Sequence, residues 1–233
     1  MEDPVPSAVK TLESGRPILI YDFVGREEET DLVFLSSRVT PEAIRTMRKD
    51  GGGLINVAIP HSIAEKLGLP FMDQVLQEAA SRYPNLAALV RGPIPYDKRS
   101  SFSLTINHRD TYTGISDRDR SLTIRKFDEM GRQADREDNG GDAEAFGLGF
   151  RSPGHVGLLI AVRDLLTARQ GHTELSLALL QLAGVQGTTT ICEMLGDEGS
   201  SLSREHAKDY AHRENLPFLD GEAIARAWKA WSK

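Results

Sequence analysis

The sequence contains little of what would point to a secreted or membrane-bound protein. Its single cysteine, Cys192, excludes an intramolecular disulfide and fits a reducing compartment. No apolar stretch reaches the roughly 18 residues that a membrane-spanning helix requires. The first residues, Met1–Pro4, lack the basic start and apolar run of a signal peptide. We therefore expect a cytoplasmic location and no membrane partner.

Positive charge is also scarce, since 28 lysines and arginines face 34 aspartates and glutamates, for a net charge of −6. A chain of this sign does not attract nucleic acid, so no nucleic-acid partner is expected. An anionic substrate would need local arginines, backbone N–H groups or a metal ion to hold it. The sequence also lacks a P-loop, a dinucleotide fingerprint, a zinc-binding Cys/His array and a Gly-x-Ser-x-Gly elbow.

The composition, 39% hydrophobic and 27% charged, is that of a globular protein that needs no disulfide or metal to fold. Strand and helix patterns mix without a regular βαβ alternation. We therefore expect an α+β fold with a mixed β-sheet flanked by helices, in a single domain that spans residues 1–233.

Short apolar or alternating runs predict the strands, and capped or amphipathic runs predict the helices. The strand segments are Pro17–Tyr21, Asp31–Ser37, Leu54–Ile59, Phe102–Ile106, Val156–Val162 and Thr188–Met194. The helix segments are Ala8–Glu13, Pro41–Asp50 with Thr40 as its cap, Ile63–Leu67, Met72–Arg82, Asp119–Phe127, Asp164–Arg169, Thr173–Leu182 with Thr173 as its cap, Ser203–Asn215 and Gly221–Trp231. Asp22–Thr30 and Gly131–Gly149 are interpreted as loops, the second of them exposed.

An acidic run, Arg26-Glu27-Glu28-Glu29-Thr30-Asp31, lies in the first of these loops. Hard cations such as Mg²⁺ prefer oxygen ligands and use one or two carboxylates. In extended chain, alternate residues face the same way, so Glu27, Glu29 and Asp31 could converge on one ion. From spacing alone, a solvated charged loop is the simpler interpretation, because acidic loops are common and four carboxylates define no unique geometry.

A second motif is Arg169-Gln170-Gly171-His172-Thr173-Glu174, at the start of a helix. A glycine at a helix entrance allows close approach of a ligand, and the free N–H groups suit a phosphate. Arg169 could add a bidentate contact, and His172 could be a metal ligand or an acid–base group. A capped helix with a surface histidine is the alternative.

Two further residues are candidates for proton transfer. Glu193 ends an apolar strand, where burial would raise its pKa and favour acid–base work, unless the side chain is solvated. His155 follows the stiff turn Arg151-Ser152-Pro153-Gly154, where a structural histidine is the simpler interpretation. Cys192 is interpreted as a packed core residue.

Taken in order, these motifs resemble those of the 3,4-dihydroxy-2-butanone-4-phosphate synthases, the lyases of riboflavin biosynthesis, in their stand-alone archaeal form. The motifs that carry the resemblance are the acidic run, Met47–Leu54, Pro95-Tyr96-Asp97, Ser100-Ser101-Phe102, Thr113-Gly114-Ile115, Arg151–Val156, Arg169–Glu174 and Ile191–Met194. They span nearly the whole chain.

The resemblance implies that D-ribulose 5-phosphate becomes L-3,4-dihydroxybutan-2-one 4-phosphate and formate. The implied steps are metal-chelated enediolate formation, dehydration, skeletal rearrangement and formate loss. The implied cofactor is Mg²⁺, with Mn²⁺ as a substitute and two ions per site, and the implied assembly is a homodimer with sites at the subunit interface.

The resemblance also assigns roles to residues. The metal ligands would be Glu27 and His172, and the catalytic residues His155, Glu193, Glu29 and Asp31. The substrate would be bound by Arg26, Glu27, Asp31, Arg169, Gln170, Gly171, His172, Thr173 and Glu193. Asn56 departs from the family pattern, because many members have cysteine at this position. A binding protein that has lost catalysis therefore stays an alternative. Another metal-dependent sugar-phosphate enzyme is a second alternative. Glu28 stands where glycine is frequent and is expected to matter least.

Overall fold

A mixed seven-stranded sheet organises the computed structural model, which describes residues 4–92, 94–136 and 142–232. Its strand order is β4-β5-β3-β6-β2-β1-β7. The pairs β3–β5 and β1–β7 are parallel, and the other neighbours are antiparallel. The strands are β1 (Ile18–Tyr21), β2 (Thr30–Leu35), β3 (Asn56–Ile59), β4 (Phe102–His108), β5 (Phe150–Ile160), β6 (Thr189–Glu193) and β7 (Phe218–Asp220).

Helices cover both faces of the sheet and confirm the predicted α+β class. They are α1 (Pro4–Glu13), α2 (Pro41–Lys49), α3 (His61–Lys66), α4 (Met72–Ala79), α5 (Pro84–Leu89), α6 (Asp117–Arg136), α7 (Asp142–Gly149), α8 (His172–Leu182), α9 (Arg204–Arg213) and α10 (Gly221–Trp231). One core lies between the sheet and α2, α3, α6 and α9. A second core lies between the opposite face and α1, α8 and α10.

Most predicted elements form where local chemistry favours them. Thr40 caps α2 as expected, because its hydroxyl accepts the Ala43 N–H at 3.2 Å and Pro41 occupies the first turn. The strands β1, β2, β3 and β6 are buried along nearly their whole length, as their apolar runs indicate. Cys192 is a buried core residue.

The prediction of an exposed loop over Gly131–Gly149 was wrong. The helix α6 continues to Arg136, well beyond the predicted end at Phe127, because Gly131 and Ala134 are buried on it. Gly131 lies so close to Ile63 of α3 that a Cβ there would be 3.3 Å from that side chain. The helix α7 begins at Asp142, and the part of the predicted loop at 137–141 lies outside the described residues.

Several element boundaries were also predicted wrongly. Thr173 does not cap α8, which begins one residue earlier with Gly171 in the capping position and no side-chain cap bond. This helix is not amphipathic, since every residue from His172 to Leu180 is buried. The segment predicted as a helix at Asp164–Arg169 forms only a short 3₁₀ turn, Leu165–Thr167. The helix α5 and the strand β7 had no prediction.

One end of the sheet positions the candidate site. Val33 of β2 and Ile191 of β6 are paired and belong to the core beneath α8. Asp31 and Glu193 are paired two residues further along the same strands. Because alternate strand residues share a face, both carboxyl groups lie on the α8 side of the sheet. No helix among the described residues is both long and apolar enough to cross a membrane.

Candidate functional site

The loop between β1 and β2 is shaped by Asp22, which directly follows β1 and is almost fully buried. Its carboxylate accepts the backbone N–H groups of Glu27 and Glu29, each at 3.1 Å. It also accepts an Arg26 guanidinium N–H at 3.0 Å. A buried carboxylate that receives this many donors fixes the backbone around it. The acidic run is therefore an ordered loop, and its interpretation as freely solvated was wrong.

The loop meets the first residue of α8. His172 Nδ1 lies 3.2 Å from Glu27 Oε2, although the two residues are 145 positions apart. The other ring nitrogen, Nε2, lies 3.2 Å from the Glu29 carbonyl oxygen and 3.7 Å from Asp31 Oδ1. The structure thus brings together Glu27, Asp31 and His172, which the sequence analysis assigned to one site.

The charges of this cluster are strongly coupled. Burial alone would raise the pKa of Glu27, but the hydrogen bond from His172 and the charge of Arg26 outweigh it and lower the pKa to about 2. Burial alone would lower the pKa of His172, but the charge of Asp31 and the bond to Glu27 raise it to about 9. In the metal-free protein, an imidazolium therefore sits among the carboxylates at neutral pH.

The donor set fits a divalent cation. Carboxylate oxygens and an imidazole nitrogen converge, and Asp31 Oδ1 is buried with no hydrogen-bond partner among the described residues. A ligating histidine normally donates its other N–H to a carbonyl or carboxylate, and the Glu29 carbonyl is placed for that. Asp22 also lies within reach, but its oxygens already hold the loop. Asp22, Glu27 and His172 together form a group that could hold a metal ion.

Two arginines lie beside this cluster. Arg26 contacts Glu27 at 2.7 Å and Asp97 at 3.3 Å, and Arg169 also binds Asp97. Arg169 further binds the buried Glu174, whose second oxygen accepts the Val162 N–H at 3.1 Å. Opposing carboxylates on two elements thus hold the guanidinium groups in fixed positions.

The start of α8 allows the arginines to pack closely. A Cβ on Gly171 would lie 2.3 Å from Arg169 Nη1 and 2.9 Å from Arg26 Nη2, so any other residue would displace the guanidinium groups. Thr173 is buried in the first turn, where backbone N–H groups are free to bind an anion. Gln170 is exposed and lines an outer groove together with Arg26 and Arg169.

Glu193 faces the same site. It lines a cavity of about 100 Å³ together with Glu27, Asp31 and His172. Burial raises its pKa, and the charges of Glu29 and Glu27 act in the same direction against the charge of His172. Burial also raises the pKa of the paired Asp31. Carboxyl groups whose pKa is raised by burial are candidates for proton transfer.

Glu29 is held at the edge of the site by a turn. Its carboxylate accepts the hydroxyl of Ser201, which closes the short bridge to Leu195 after β6. Its carbonyl contacts His172 as described. Glu29 therefore touches the cluster through its backbone, and its side chain points to the turn.

His155 is not joined to the cluster. It is exposed, and its contacts are with Asn107, including a 2.9 Å bond from its own N–H to Asn107 Oδ1. In the register with β4, Val156 pairs with Ile106 but Arg151 pairs with Asn107, so residues 152–155 form a bulge. Among the described contacts, none links the His155 side chain to Glu27 or His172.

Asn56 lies at the base of the sheet's central strands. It is fully buried, and its Oδ1 has no hydrogen-bond partner within the described part of the chain. Gly157 opposite leaves room for it, because a Cβ there would lie 2.1 Å from that oxygen.

The sequence analysis missed several residues that complete the site. Asp22 had one available signal, an acidic residue directly after a buried strand. Asp97 and Tyr96 appeared only as part of a resemblance, and nothing in their local pattern indicates contact with Arg26 and Arg169. Ser201 had no signal at all, because its partner Glu29 is distant in sequence.

Comparisons with known proteins bear on this arrangement. The family model described as 3,4-dihydroxy-2-butanone 4-phosphate synthase matches residues 6–227. A protein of that name from Methanothermobacter thermautotrophicus is 44% identical over 225 residues, covering 96% of this chain and 95% of that protein. Another from Archaeoglobus fulgidus is 46% identical over 230 residues, covering 95% and 92%.

A solved structure of similar fold extends the comparison. It is described as a 3,4-dihydroxy-2-butanone 4-phosphate synthase in complex with two magnesium ions. It aligns with a TM-score of 0.73 at 24% identity, over 96% of this chain and 95% of the other. At this identity the likeness establishes the fold.

Proposed function

The chain belongs to the 3,4-dihydroxy-2-butanone 4-phosphate synthase family, which converts ribulose 5-phosphate in riboflavin biosynthesis, and we propose that the cavity beside the start of α8 is its active site. One observation carries the assignment. Glu27, Asp31 and His172 come from two distant parts of the chain and converge on one buried cluster. The whole chain, 1–233, serves this site as one catalytic domain.

Glu27 and His172 are the proposed ligands for Mg²⁺. The unpartnered oxygen of Asp31 and the bond from His172 to the Glu29 carbonyl support this choice. When bound, the ion supplies polarisation of the substrate's carbonyl and hydroxyl oxygens. Two ions per site, as the similar structure is described, and replacement by Mn²⁺ belong to the same proposal.

Arg26 and Arg169 bind the anionic end of the substrate. Their guanidinium groups already share one carboxylate oxygen, so a phosphate can engage both. Gly171 and Thr173 add backbone N–H groups at the start of α8, and Gln170 lines the approach.

Glu193 and Asp31 move protons. Burial raises the pKa of each carboxyl group above its ordinary value, which favours the protonated form and suits the pair to proton donation and acceptance. Glu29 supports the loop through Ser201 and can join the proton transfers when its side chain turns inward.

His155 is proposed to act from a second copy of the chain, in a homodimer with its sites at the interface. Its exposure and its separation from the cluster support this arrangement. A cytoplasmic location completes the proposal and agrees with the buried free thiol of Cys192.

The test is release of formate from ribulose 5-phosphate by purified, folded protein. Formate should appear with Mg²⁺, stop on addition of EDTA and return with excess Mg²⁺. The four-carbon ketone phosphate should form in equal amount. A five-carbon product would indicate an isomerase instead, and folded protein that binds Mg²⁺ but releases no formate would contradict the proposed lyase.

A further inference from the structure

Asp97 is the residue on which the two substrate arginines meet. Its Oδ2 accepts Arg26 Nη2 at 3.3 Å and also accepts Arg169 Nε. The side chains of all three residues are only 11–14% exposed. Burial alone would raise the pKa of Asp97, but the charge of Arg169 outweighs it and keeps the pKa low. A carboxylate anion thus occupies the position between the guanidinium groups.

This contact also separates two cavities. Tyr96 and Arg169 line both the inner cavity of about 100 Å³, which contains Glu27 and His172, and an outer groove of about 430 Å³. Small-molecule sites usually measure roughly 300 Å³ or more. The inner cavity is therefore too small for a phosphorylated sugar until Tyr96 and Arg169, which line both cavities, move. Asp97 lines the outer groove and holds Arg169 in place.

The chain around Asp97 is suited to such a movement. The helices α4 and α5 precede it, and neither has a buried residue. Tyr96 itself is 45% exposed, and its ring lies 5.4 Å from the Arg26 guanidinium. Segments with few buried contacts open at low free-energy cost.

We infer that Asp97 is a specificity-determining residue that occupies the phosphate position and must be displaced by the substrate's phosphate. This inference rests on the proposed function of Arg26 and Arg169. Like charges exclude each other, so the carboxylate and a phosphate cannot share the two guanidinium groups. A phosphate dianion has several acceptor oxygens and can therefore bind both arginines better than one carboxylate oxygen does. An unphosphorylated sugar has no anionic group that could replace the Asp97 carboxylate.

Removal of the carboxylate charge gives the decisive test. Wild-type protein, Asp97→Asn and Asp97→Ser are titrated with inorganic phosphate by calorimetry at fixed ionic strength, in EDTA. Without the competing anion, both variants should bind phosphate about tenfold more tightly than wild type. A positioning role for Asp97 predicts the opposite, since loosened arginines bind phosphate more weakly.

Asp73→Asn is the matched control, because Asp73 forms an ion pair with Arg99 in the same region but outside the site. Its phosphate affinity should stay within about twofold of wild type, as expected for a partly exposed pair. Thermal unfolding of each variant checks that it is folded. Unchanged or weaker phosphate binding by both Asp97 variants would overturn the inference.

Arg169→Met in the Asp97→Asn background separates this inference from the proposed function. Loss of the tightened binding places the phosphate at the arginines and supports both. Tightened binding that survives Arg169→Met would overturn both assignments. Tightened, Arg169-dependent binding in a protein that releases no formate would support Asp97's role while contradicting the lyase.

Discussion

At the scale of single residues, the cluster around His172, proposed as a cation site, contains opposite charges that offset one another. Asp22, Glu27 and Asp31 surround His172. The positive charge of the imidazolium lowers the free-energy cost of burying these acidic groups. Asp31 nevertheless keeps one oxygen unpartnered within the described residues. Buried polar atoms in folded proteins are normally satisfied, so this oxygen fits the cation site proposed beside Glu27 and His172.

Glu27→Gln should separate this site from ordinary loop charge. Loss of the ligating carboxylate is expected to lower Mg²⁺ affinity and formate release each by about 100-fold, as for other disrupted metal sites. Glu28→Gln is the matched control, because Glu28 is the next residue but is exposed, and its carboxylate accepts the Gly25 N–H. Its activity should stay within about twofold of wild type. Equal effects of the two substitutions on Mg²⁺ binding would remove Glu27 from the ligand set.

The Glu27–His172 pair also predicts a pH dependence of stability in metal-free protein. The lowered pKa of Glu27 adds stability above its ordinary value of 4.5, which is lost as the pH falls toward 2. The raised pKa of His172 adds stability that is complete below 6.5 and is lost as the pH rises through about 9. Between pH 6 and pH 9.5, the free energy of unfolding should therefore fall by about 3 kcal/mol as His172 loses its proton.

Urea unfolding followed by tryptophan fluorescence measures that change, with EDTA present. His172→Gln is the reference, because it keeps a polar side chain but removes the titration. The stability difference between wild type and His172→Gln should shrink as the pH rises from 6 to 9.5. A difference that stays constant over this range would mean that folding leaves the pKa of His172 unchanged and would contradict the raised pKa.

At the scale of elements, the segment before α8 joins the metal cluster to the arginines. His172 begins the helix, and Gly171 supplies the open space over which Arg26 and Arg169 lie. The helix itself is buried from its first residue to Leu180, so its position is fixed by the core. A helix fixed by the core therefore presents both the proposed metal ligand and the proposed anion site at one end.

Gly171→Ala tests this packing. The new Cβ would meet the ends of two flexible arginine side chains, so the fold should tolerate it while the arginines are displaced. We expect KM for ribulose 5-phosphate to rise about tenfold or more, with little change in the unfolding temperature. Gly147→Ala in α7 is the control, because a Cβ there meets nothing within 4 Å. An unchanged KM in Gly171→Ala would contradict the role given to this glycine.

The elements also explain how far the sequence predicts this protein. Strands such as β1 and β6 follow from apolar runs, and α2 follows from Thr40 and Pro41, because those signals are local. The residues after Phe127 carry many charges and glycines, yet α6 continues to Arg136 because its buried face packs against α3. Contacts with distant parts of the chain decide the secondary structure of such segments, and the local sequence does not reveal those contacts.

The same distinction holds for the site. The acidic run and the segment at the start of α8 identify Glu27, His172 and Arg169 as candidates. The structure places all three around one cavity. Asp97 and Ser201 could not be found in this way, since each acts through a partner more than 70 positions distant. Their roles follow from strand order and loop packing, which place remote side chains on one edge of the sheet.

At the scale of the whole molecule, the proposed site can receive a side chain from a second copy of the chain. The sheet carries Asp31 and Glu193 beneath α8, while the β5 bulge presents His155 at the surface, bonded to Asn107. Within one chain, the described contacts leave that histidine apart from the cluster. A two-fold dimer would give each site the same histidine from its neighbour, because symmetric partners exchange equivalent residues.

Mixing two inactive variants tests this arrangement. His155→Ala and Glu27→Gln should each release formate at a small fraction of the wild-type rate. If each site combines Glu27 of one chain with His155 of the other, half of randomly formed dimers are mixed and each contains one intact site. Unfolding and refolding an equal mixture should then restore about a quarter of wild-type activity. Variants refolded separately and combined afterwards are the control, and activity that stays at their level in the co-refolded dimer would place His155 in its own chain's site.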